Sequence, residues 1–492
     1  MKYILAIDQG TTGSRAIVYD KKGQQIASAY QEFPQYFPKP GWVEHDPEEI
    51  WASVEQSIQK VLKKIPSKSI LAIGITNQRE TTVVWDRTTG KPIYNAIVWQ
   101  CRRTADRCDK LKTQRRVTAN IRERTGLPVD AYFSATKIEW ILKNVKGAQE
   151  KARRGHLCFG TTDSWVLWKL TGGVSHATDY SNASRTMVFN INTFKWDASL
   201  LKKFHIPRSM LPKVLPSSGN FGATVKIGKL GAGIPIAGIA GDQQAALFGQ
   251  TCFEPGSIKN TYGTGAFLLL NTGKNRVASH YGLITTVGCD GTGAPAYVLE
   301  GAIFIAGAGI QWLRDGLKIL KRASESEGIA LSLASNEGVY FVPALVGLGA
   351  PYWDQAARGT ITGITRGTSR EHIARAAIEA MCYQTKDVLI AMKKDSGLLI
   401  KDLCVDGGAV VNNFLCQFQS DILGINIVRP RIIETTSLGA AYLAGLAVGY
   451  WKNAAEIKRC WQKEKVFKPR MKPKMVNELY AGWQKAVERA RI

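Results

Sequence analysis

The chain has 492 residues, 45% of them hydrophobic and 21% charged, and carries a formal net charge of +25 at pH 7. This length exceeds one hydrophobic core and predicts two folded domains, and no apolar run reaches the roughly 18 residues of a membrane-spanning helix, so we expect no stable membrane insertion. The basic excess is diffuse and lacks the aromatic and glycine interleaving of an RNA-binding module, so it predicts a solvated basic surface and no nucleic-acid partner.

The first predicted elements are three β-strands, KYILAI, SRAIVYD and QQIASAYQ, joined by the tight turns GTTG and KKGQ. This pattern predicts an antiparallel meander. The next segment, DPEEIWASVEQSIQKVLKKI, has apolar residues at helical spacing, with Asp46 placed to be the N-cap and Pro47 the first helical residue. ILAIGITNQ and TTVVWD then predict two strands on either side of an NQRE turn.

The first turn, DQGTTGSR (8–15), has the residue types of a phosphate-binding loop. Its glycines permit close approach of backbone N–H groups, and its other donors are the hydroxyls of Thr11, Thr12 and Ser14 and the guanidinium of Arg15. Asp8 could hold Mg²⁺ through water, because magnesium prefers one or two carboxylates and keeps several waters. The segment lacks the GK[ST] of a Walker loop. An ordinary hairpin turn remains an alternative.

The NQRE turn (77–80) and two later aromatic residues are candidates for substrate contacts. Arg79 could donate to, and Glu80 accept from, adjacent hydroxyl groups of a small substrate. The same pair could instead form a surface ion pair that contributes little. Trp99 and Tyr132 could cover the carbon face of a small polyol, and core packing is the alternative for both.

The pattern restarts near residue 240, where IPIAGIAG predicts a strand and DQQAALFGQ opens a helix. Asp242 could be the helix N-cap, or a catalytic base that accepts a hydroxyl proton and is kept ionised by the helix N-terminus. The restart predicts a duplicated architecture with domains 1–248 and 249–492. From residue 451 onward we expect a peripheral helix and a basic loop, interrupted by Pro469 and Pro473.

Three glycine-rich segments of the second half are candidate nucleotide contacts. NTYGTGAF (260–267) could form a second phosphate turn, and the small residues of EGAIFIAGAGIQWLRD (300–315) would let another surface approach closely. The double glycine of VDGGAVVNNF (405–414) would let a flat nucleoside lie against the backbone. Each segment is also consistent with an ordinary turn or helix start, and none is a G-x-G-x-x-G fingerprint with a ribose-binding acid.

The cysteine and histidine patterns argue against disulfides and structural zinc. The nine cysteines are scattered, odd in number and without a C-x-x-C pair, and the six histidines lack metal-ligand spacing. Free thiols in a reducing compartment fit best. We therefore expect a cytoplasmic protein.

Together these segments resemble the FGGY carbohydrate-kinase family over essentially the whole chain. YFSATKIEWILKN (132–144) matches its first signature and GTITGITRGTSREHIARAAIE (359–379) its second. The resemblance implies an α/β fold of two ribonuclease-H-like domains, of the actin and hexokinase ATPase type, that flank a cleft. NQRE with IVWQCRRT is typical of members that phosphorylate glycerol. The implied reaction makes sn-glycerol 3-phosphate from glycerol and ATP with Mg²⁺, and feeds glycerol catabolism and glycerolipid synthesis.

The resemblance also implies roles for individual residues. The glycerol site would comprise Arg79, Glu80, Trp99, Tyr132, Asp242, Gln243 and Phe267. The nucleotide site would comprise Thr11, Thr12, Gly13, Arg15, Thr264, Gly307, Gln311, Gly408 and Asn412. Asp242 would be the catalytic base and Asp8 the magnesium ligand. We expect a homo-oligomer, a dimer or a tetramer, although the sequence does not define its state.

The sequence departs from the family pattern at several positions. Gly13 stands where the family often has serine, which predicts an altered nucleotide affinity rather than lost activity. Ala232 and Gly233 provide no guanidinium for a sugar-bisphosphate inhibitor, and no histidine lies between His205 and Asp242 for phosphorylation, which argues against both kinds of regulation.

Three alternative functions remain open. They are another polyol or sugar kinase of the family, an actin-like or chaperone-like ATPase, and, from charge alone, a nucleic-acid binder.

Overall fold

The computed structural model describes residues 1–491, and the chain divides into two compact units. The first unit comprises Met1–Phe253, Thr285–Val298 and Thr435–Cys460, and the second comprises Glu254–Ile284, Leu299–Glu434 and the segment from Trp461 onward. Two later segments, 285–298 and 435–460, therefore belong to the first unit together with residues 1–253.

The elements alternate between strands and helices along the chain. The strands are β1 (Tyr3–Gln9), β2 (Gly13–Tyr19), β3 (Gln25–Glu32), β4 (Glu44–His45), β5 (Ile70–Asn77), β6 (Val83–Asp86), β7 (Ala96–Ile97), β8 (Leu157–Gly160), β9 (Ala177–Asp179), β10 (Phe189–Asn190), β11 (Lys195–Trp196), β12 (Lys213–Leu215), β13 (Ser218–Ala223), β14 (Pro235–Gly241), β15 (Ile258–Tyr262), β16 (Ala266–Gly273), β17 (Ile284–Cys289), β18 (Pro295–Ile303), β19 (Tyr340–Val342), β20 (Thr360–Thr362), β21 (Asp402–Asp406), β22 (Asn426–Pro430) and β23 (Lys463–Phe467). The helices are α1 (Pro47–Leu62), α2 (Ala105–Lys112), α3 (Arg115–Thr125), α4 (Ser134–Asn144), α5 (Ala148–Arg153), α6 (Thr162–Leu170), α7 (Tyr180–Ala183), α8 (Ala198–Lys203), α9 (Asp242–Gly249), α10 (Gly307–Asp315), α11 (Glu325–Leu331), α12 (Arg370–Ser396), α13 (Asn413–Leu423), α14 (Thr435–Ala447), α15 (Ala454–Cys460) and α16 (Pro473–Ala490).

A six-stranded sheet of order β13-β14-β5-β1-β2-β3 forms the centre of the first unit. Strands β1, β2 and β3 are the predicted antiparallel meander, whereas β5 runs parallel to both β1 and β14. The apolar run Ile4–Ile7 is fully buried within β1. Helix α1 begins as predicted, because the Asp46 side chain caps it by accepting a hydrogen bond from the Glu48 amide.

Helix α14 belongs to this first sheet although it lies far along the chain. It packs on β1, β5 and β14. A Cβ atom placed on Gly74 would lie 2.1 Å from the Ala440 carbonyl oxygen, and one on Gly238 would lie 2.5 Å from the Ala444 nitrogen. Glycine at these two strand positions therefore lets the helix backbone rest directly on the sheet.

The sheet of the second unit repeats part of this arrangement. Its strands follow the order β17-β18-β16-β15-β21-β22-β23, and the chain passes from one unit to the other within β17 and within β18. The antiparallel hairpin β15–β16 is joined by β21, which runs parallel to β15, just as the hairpin β1–β2 is joined by a parallel β5. This shared pattern supports the predicted duplication.

The C-terminal segment is more integrated than the sequence suggested. Residues 463–467 form β23 and pair with β22, and Pro473 opens α16 at its first turn, where its missing N–H costs nothing. Trp483 is buried, and its indole N–H donates to the Asp387 carboxylate at 2.8 Å. The prediction of a peripheral helix interrupted by Pro473 was wrong because the amphipathic face of α16 packs into the core of the second unit.

Across residues 1–491, no helix combines the length and the apolar character needed to cross a bilayer. The nine cysteines are free thiols, seven of them buried.

Candidate active site

Three adjacent parallel strands of the first unit end at one edge of its sheet. Strand β5 lies between β1 and β14, and Asn77 at its end pairs in register with Gln9 on one side and Gly241 on the other. The carboxyl ends of such strands form the binding edge of open α/β sheets. The predicted residues Asp8, Arg79, Glu80 and Asp242 all lie within two or three residues of these ends.

The backbone of Glu80 is held in an unusual conformation. Its φ angle is +61°, in the left-handed region that favours glycine. The Glu80 carbonyl oxygen accepts hydrogen bonds from the hydroxyls of Ser134 at 3.0 Å and Thr82 at 3.1 Å, and from the Lys137 ammonium at 3.5 Å. Burial lowers the pKa of Lys137 to about 8. Two of these donors lie on α4, and Thr82 directly precedes β6. Together they fix the direction in which the Glu80 side chain leaves the turn.

The Glu80 carboxylate is buried between two arginines. Arg185 Nε lies 2.6 Å from Glu80 Oε1, and Arg79 Nε lies 3.9 Å from the same oxygen. The Arg185 guanidinium also lies over the rings of Tyr132 and Phe133, 5.6 and 5.3 Å from their centroids. Sequence reasoning gave Arg185 no role. The sequence feature that could have indicated a role for this residue is its position as a single arginine in the otherwise uncharged stretch SNASRTM.

Arg79 links the predicted substrate residues to one another. Its Nε lies 3.2 Å from Asp242 Oδ1, and its two terminal nitrogens donate to Gln244 Oε1 at 3.2 Å and to the Tyr132 hydroxyl at 3.5 Å. A Cβ atom at position 241 would lie 2.8 Å from Arg79 Cδ, so Gly241 leaves room for this side chain. The guanidinium is therefore fixed in place.

Asp242 is the first residue of α9, and the N-cap of that helix is Gly241. The interpretation of Asp242 as an N-cap was therefore off by one position. The Asp242 side chain is 31% exposed while the Arg79 side chain is only 2% exposed. Its Oδ1 accepts from the Gln243 amide at 2.7 Å. The carboxylate thus has one side against Arg79 and the start of α9, and its other side is partly exposed.

The aromatic wall and the first turn are connected. The rings of Trp99 and Tyr132 meet edge to face with centroids 5.7 Å apart, and the Trp99 indole N–H donates to Thr11 Oγ1 at 3.0 Å. Gln243 is buried within the same unit, beside Asp242. Phe267 belongs to the second unit, on β16, and its place in the substrate site stays a prediction.

The turn at residues 8–15, here called the phosphate turn, is closed by the Gly10 amide, which donates to the Gly13 carbonyl at 2.9 Å. Thr11 is partly exposed and Thr12 exposed. The Ser14 hydroxyl instead contacts Ser53 Oγ at 2.7 Å inside the protein. Ser14 was predicted as a phosphate donor, and this prediction was wrong because β2 directs alternate side chains to opposite faces.

A buried histidine supports the phosphate turn from behind. His45 Nε2 lies 2.7 Å from Gln35 Oε1, and Gln78 Nε2 lies 3.4 Å from His45 Nδ1. Both glutamines also donate to the turn, Gln35 to the Thr11 carbonyl and Gln78 to the Gly10 carbonyl. Burial lowers the pKa of His45 to about 4, so the imidazole is neutral near pH 7.

Asp8 provides the carboxylate that the sequence assigned to magnesium. It is partly exposed and lies opposite Arg15 in the β1–β2 register. No cluster of three or more His, Cys, Asp or Glu side chains suited to a metal occurs among the residues described, 1–491. This donor set does not fit an all-protein metal cage. It fits a magnesium ion held mostly by nucleotide phosphates and water with one carboxylate nearby.

In the second unit, the backbone brings three of the predicted nucleotide segments together. The Thr264 carbonyl accepts from the Ala306 and Ala308 amides at 2.9 and 3.1 Å. A Cβ atom on Gly307 would lie 2.6 Å from the Gly263 carbonyl oxygen, and one on Gly407, whose φ is +89°, would lie 2.3 Å from the Tyr262 carbonyl oxygen. The 262–265 turn therefore contacts both glycine-bearing helix starts.

The remaining residues predicted to bind the nucleotide differ in their exposure and in their hydrogen-bond partners. Nothing lies within 4 Å of a Cβ atom placed on Gly408, so this glycine faces open space. Gln311 is exposed on α10, one turn after Gly307. Asn412 is the N-cap of α13, and its Oδ1 accepts from the Leu415 amide at 2.9 Å. Its amide nitrogen lies 3.5 Å from Ser326 Oγ, and a contact between Asn412 and a nucleotide stays a prediction.

Comparison with protein-family models identifies both halves of the chain. Residues 3–249 match the N-terminal domain of the FGGY family of carbohydrate kinases, and residues 258–448 match the C-terminal domain of that family.

Curated relatives and solved structures agree with these matches. The chain is 60% identical over 489 residues to glycerol kinase of Bacillus cereus, covering 99% of this chain and 98% of the relative. It is 59% identical over 492 residues to glycerol kinase 2 of Thermotoga maritima, covering 100% and 99%. The crystal structure of Plasmodium falciparum glycerol kinase with ADP superposes with a TM-score of 0.93 at 39% identity, covering 100% and 99%. Gluconate kinase from Lactobacillus acidophilus gives 0.87 at 25% identity, covering 99% and 97%.

Proposed function

Because the chain belongs to the FGGY family of carbohydrate kinases, we propose that it transfers the γ-phosphoryl group of ATP to glycerol, giving sn-glycerol 3-phosphate and ADP. The observation that carries the proposal is the ion-paired group of Arg79, Glu80 and Asp242 at one edge of the sheet. The chain that holds this group is 60% and 59% identical to two named glycerol kinases.

The two charged residues of the NQRE turn suit a vicinal diol. Arg79 provides N–H donors only, and the Glu80 carboxylate provides acceptors only, so together they can bind one hydroxyl oxygen and one hydroxyl hydrogen on adjacent carbons. Trp99 and Tyr132 offer apolar surface beside them. A three-carbon polyol held in this way leaves its third hydroxyl for Asp242.

Asp242 then acts as the base. As the terminal hydroxyl oxygen bonds to the γ-phosphorus, its proton passes to the Asp242 carboxylate, and the bond between the γ-phosphorus and the bridging oxygen breaks to release ADP. Phosphoryl transfer through a loose transition state depends mainly on positioning and charge stabilisation. The rigid Arg79–Asp242 pair provides that positioning.

The nucleotide side of the proposal has two groups of residues. Thr11, Thr12, Gly13 and Arg15 would bind phosphate oxygens. The remaining nucleotide contacts would come from Thr264, Gly307, Gln311, Gly408 and Asn412. Asp8 would hold Mg²⁺ through water, and the ion would neutralise phosphate charge during transfer. Division into domains 1–248 and 249–492, a dimeric or tetrameric state and a cytoplasmic location remain parts of this proposal.

A substrate panel tests the proposed specificity. The proposal predicts the highest kcat/KM for glycerol among glycerol, erythritol, xylulose and gluconate, with the acceptor-free reaction as the blank. The second candidate, another polyol or sugar kinase of the family, is favoured by the structural likeness to gluconate kinase. A higher kcat/KM for any of the longer acceptors would establish that candidate instead.

A further inference from the structure

Gly13 is a glycine whose backbone does not require one. It begins β2 and is not among the glycines of the chain with positive φ. A Cβ atom placed on it would lie 2.5 Å from the Tyr30 hydroxyl oxygen, 2.6 Å from Tyr30 Cζ and 2.7 Å from the Gln31 carbonyl oxygen. Side chains do not approach this closely, so the tyrosine occupies the space that a side chain at position 13 would need.

Tyr30 reaches the phosphate turn from the neighbouring strand. It stands opposite Arg15 in the β2–β3 register, and the Arg15 guanidinium lies over its ring, 5.5 Å from the centroid. The Tyr30 hydroxyl lies 3.3 Å from Thr12 Oγ1. Three residues assigned to phosphate binding, Thr12, Gly13 and Arg15, therefore all contact this one side chain.

The phosphate turn has few exposed hydroxyl groups of its own. Ser14 is turned inward to Ser53, and Thr11 Oγ1 accepts from the Trp99 indole. Thr12 and Tyr30 are both exposed, with 41% of Tyr30 accessible. A phenol hydroxyl can donate to a phosphate oxygen while its ring keeps the guanidinium beside it in place.

We propose that Tyr30 is a phosphate-binding residue of this chain, whose hydroxyl fills the place of a side chain at position 13 and donates to a nonbridging oxygen of the nucleotide phosphates. The inference rests on the proposed function in one respect, that the phosphate turn receives a nucleotide. It adds a ligand contact from β3 and makes the residues at positions 13 and 30 dependent on each other.

The test is the dissociation constant of the full chain for AMP-PNP with Mg²⁺, measured calorimetrically without glycerol. Tyr30→Phe removes the hydroxyl but keeps the ring under Arg15, and should raise the constant about 10- to 150-fold, as expected for losing one hydrogen bond to a charged group. The KM for glycerol and the melting temperature should not change. Tyr36→Phe is the matched control, an exposed tyrosine whose hydroxyl donates to Glu49 instead, and should leave AMP-PNP binding unchanged.

Two further variants test the position of the hydroxyl. Gly13→Ser should weaken AMP-PNP binding, because the new side chain meets both the Tyr30 ring and the Gln31 carbonyl oxygen. Tyr30→Ala should weaken it more than Tyr30→Phe, because the ring under the Arg15 guanidinium is lost together with the hydroxyl.

The outcomes separate this inference from the proposed function. Unchanged AMP-PNP affinity in Tyr30→Phe would overturn the role of Tyr30 even if glycerol is phosphorylated. A Tyr30-dependent affinity in a chain that fails to phosphorylate glycerol would overturn the proposed substrate and leave the role of Tyr30 standing.

Discussion

Arg79 and Asp242 form an ion pair in which Nε and Oδ1 are 3.2 Å apart, with the arginine buried and the carboxylate partly exposed. The two residues follow adjacent parallel strands, β5 and β14, whose ends are in register at Asn77 and Gly241. Sheet topology therefore places the proposed base beside the residue that would bind the substrate, and the arginine orients the carboxylate.

Asp242→Asn should lower kcat for glycerol phosphorylation by about 100-fold or more, because a positioned base is lost while the side chain keeps its size. AMP-PNP affinity should change little, since the variant alters no proposed nucleotide contact. Steady-state kinetics and calorimetry measure the two quantities. Near-normal turnover in this variant would remove Asp242 from the catalytic role.

Arg185→Gln should destabilise the first unit and raise the KM for glycerol. Removing one partner of a buried ion pair costs about 3–5 kcal/mol, because the Glu80 carboxylate is left buried without its strongest neighbour. Urea unfolding and glycerol kinetics measure both effects. Arg154→Gln is the control, because its pair with Glu150 is exposed and should contribute less than about 1 kcal/mol. Equal unfolding free energies for the two variants would contradict the role of Arg185.

Acidification should destabilise the protein through His45. Its folded-state pKa of about 4 lies below the ordinary 6.5, so the unfolded chain binds more protons between these values and the unfolding free energy falls as the pH drops through that window. The loss amounts to about 3 kcal/mol by pH 4. Protonation also places a hydrogen on Nδ1, which faces the Gln78 amide nitrogen.

The measurement is urea unfolding at pH 7 and pH 4.5 in the parent chain and in His45→Asn. The difference between the two proteins isolates this histidine from the carboxylates that titrate over the same range. The parent should lose more stability than the variant on acidification, and equal losses would show that His45 is not a buried neutral imidazole.

Gly408→Ala should weaken nucleotide binding without destabilising the fold. An added Cβ at this position meets no atom within 4 Å, and its φ is not in the left-handed region, so the protein itself accommodates alanine. If a nucleoside lies against this glycine, the methyl group should raise the dissociation constant for ADP by about 10-fold or more through displacement of the ligand. Calorimetry and thermal melting measure the two effects.

Gly328→Ala is the matched control for this variant. Gly328 also has open space around its Cβ position, but it is an exposed residue of α11 that has no proposed ligand contact. ADP affinity should be unchanged there. Identical ADP affinities for Gly408→Ala and the parent chain would place the nucleoside elsewhere.

Local patterns in the sequence were enough to predict the frame of the site. Alternating apolar strands and short turns predicted β1, β2 and β3, and the capping signal at Asp46 predicted the start of α1. The charged residues that follow buried strands led to Arg79, Glu80 and Asp242, which the structure brings together. These patterns involve only a few neighbouring residues, so they can be interpreted without knowledge of the tertiary fold.

Contacts between distant segments could not be predicted in the same way. The pairing of Arg185 with Glu80 and the contact of Tyr30 with Gly13 both depend on strand register and helix placement. The same holds for α14, which reaches the first sheet only because Gly74 and Gly238 leave room for its backbone. Ser14 shows the reverse effect, since local chemistry suggested a phosphate donor and a distant segment supplied Ser53 as its partner.

The most direct test of the account is the fate of the γ-phosphoryl group, followed by ³¹P NMR while ADP formation is measured with and without glycerol. We expect ADP to form rapidly only when glycerol is present, and a phosphomonoester of its terminal carbon to appear in equal amount. ADP formation at the same rate without glycerol, with inorganic phosphate as the only new signal, would contradict it and identify the chain as an ATPase.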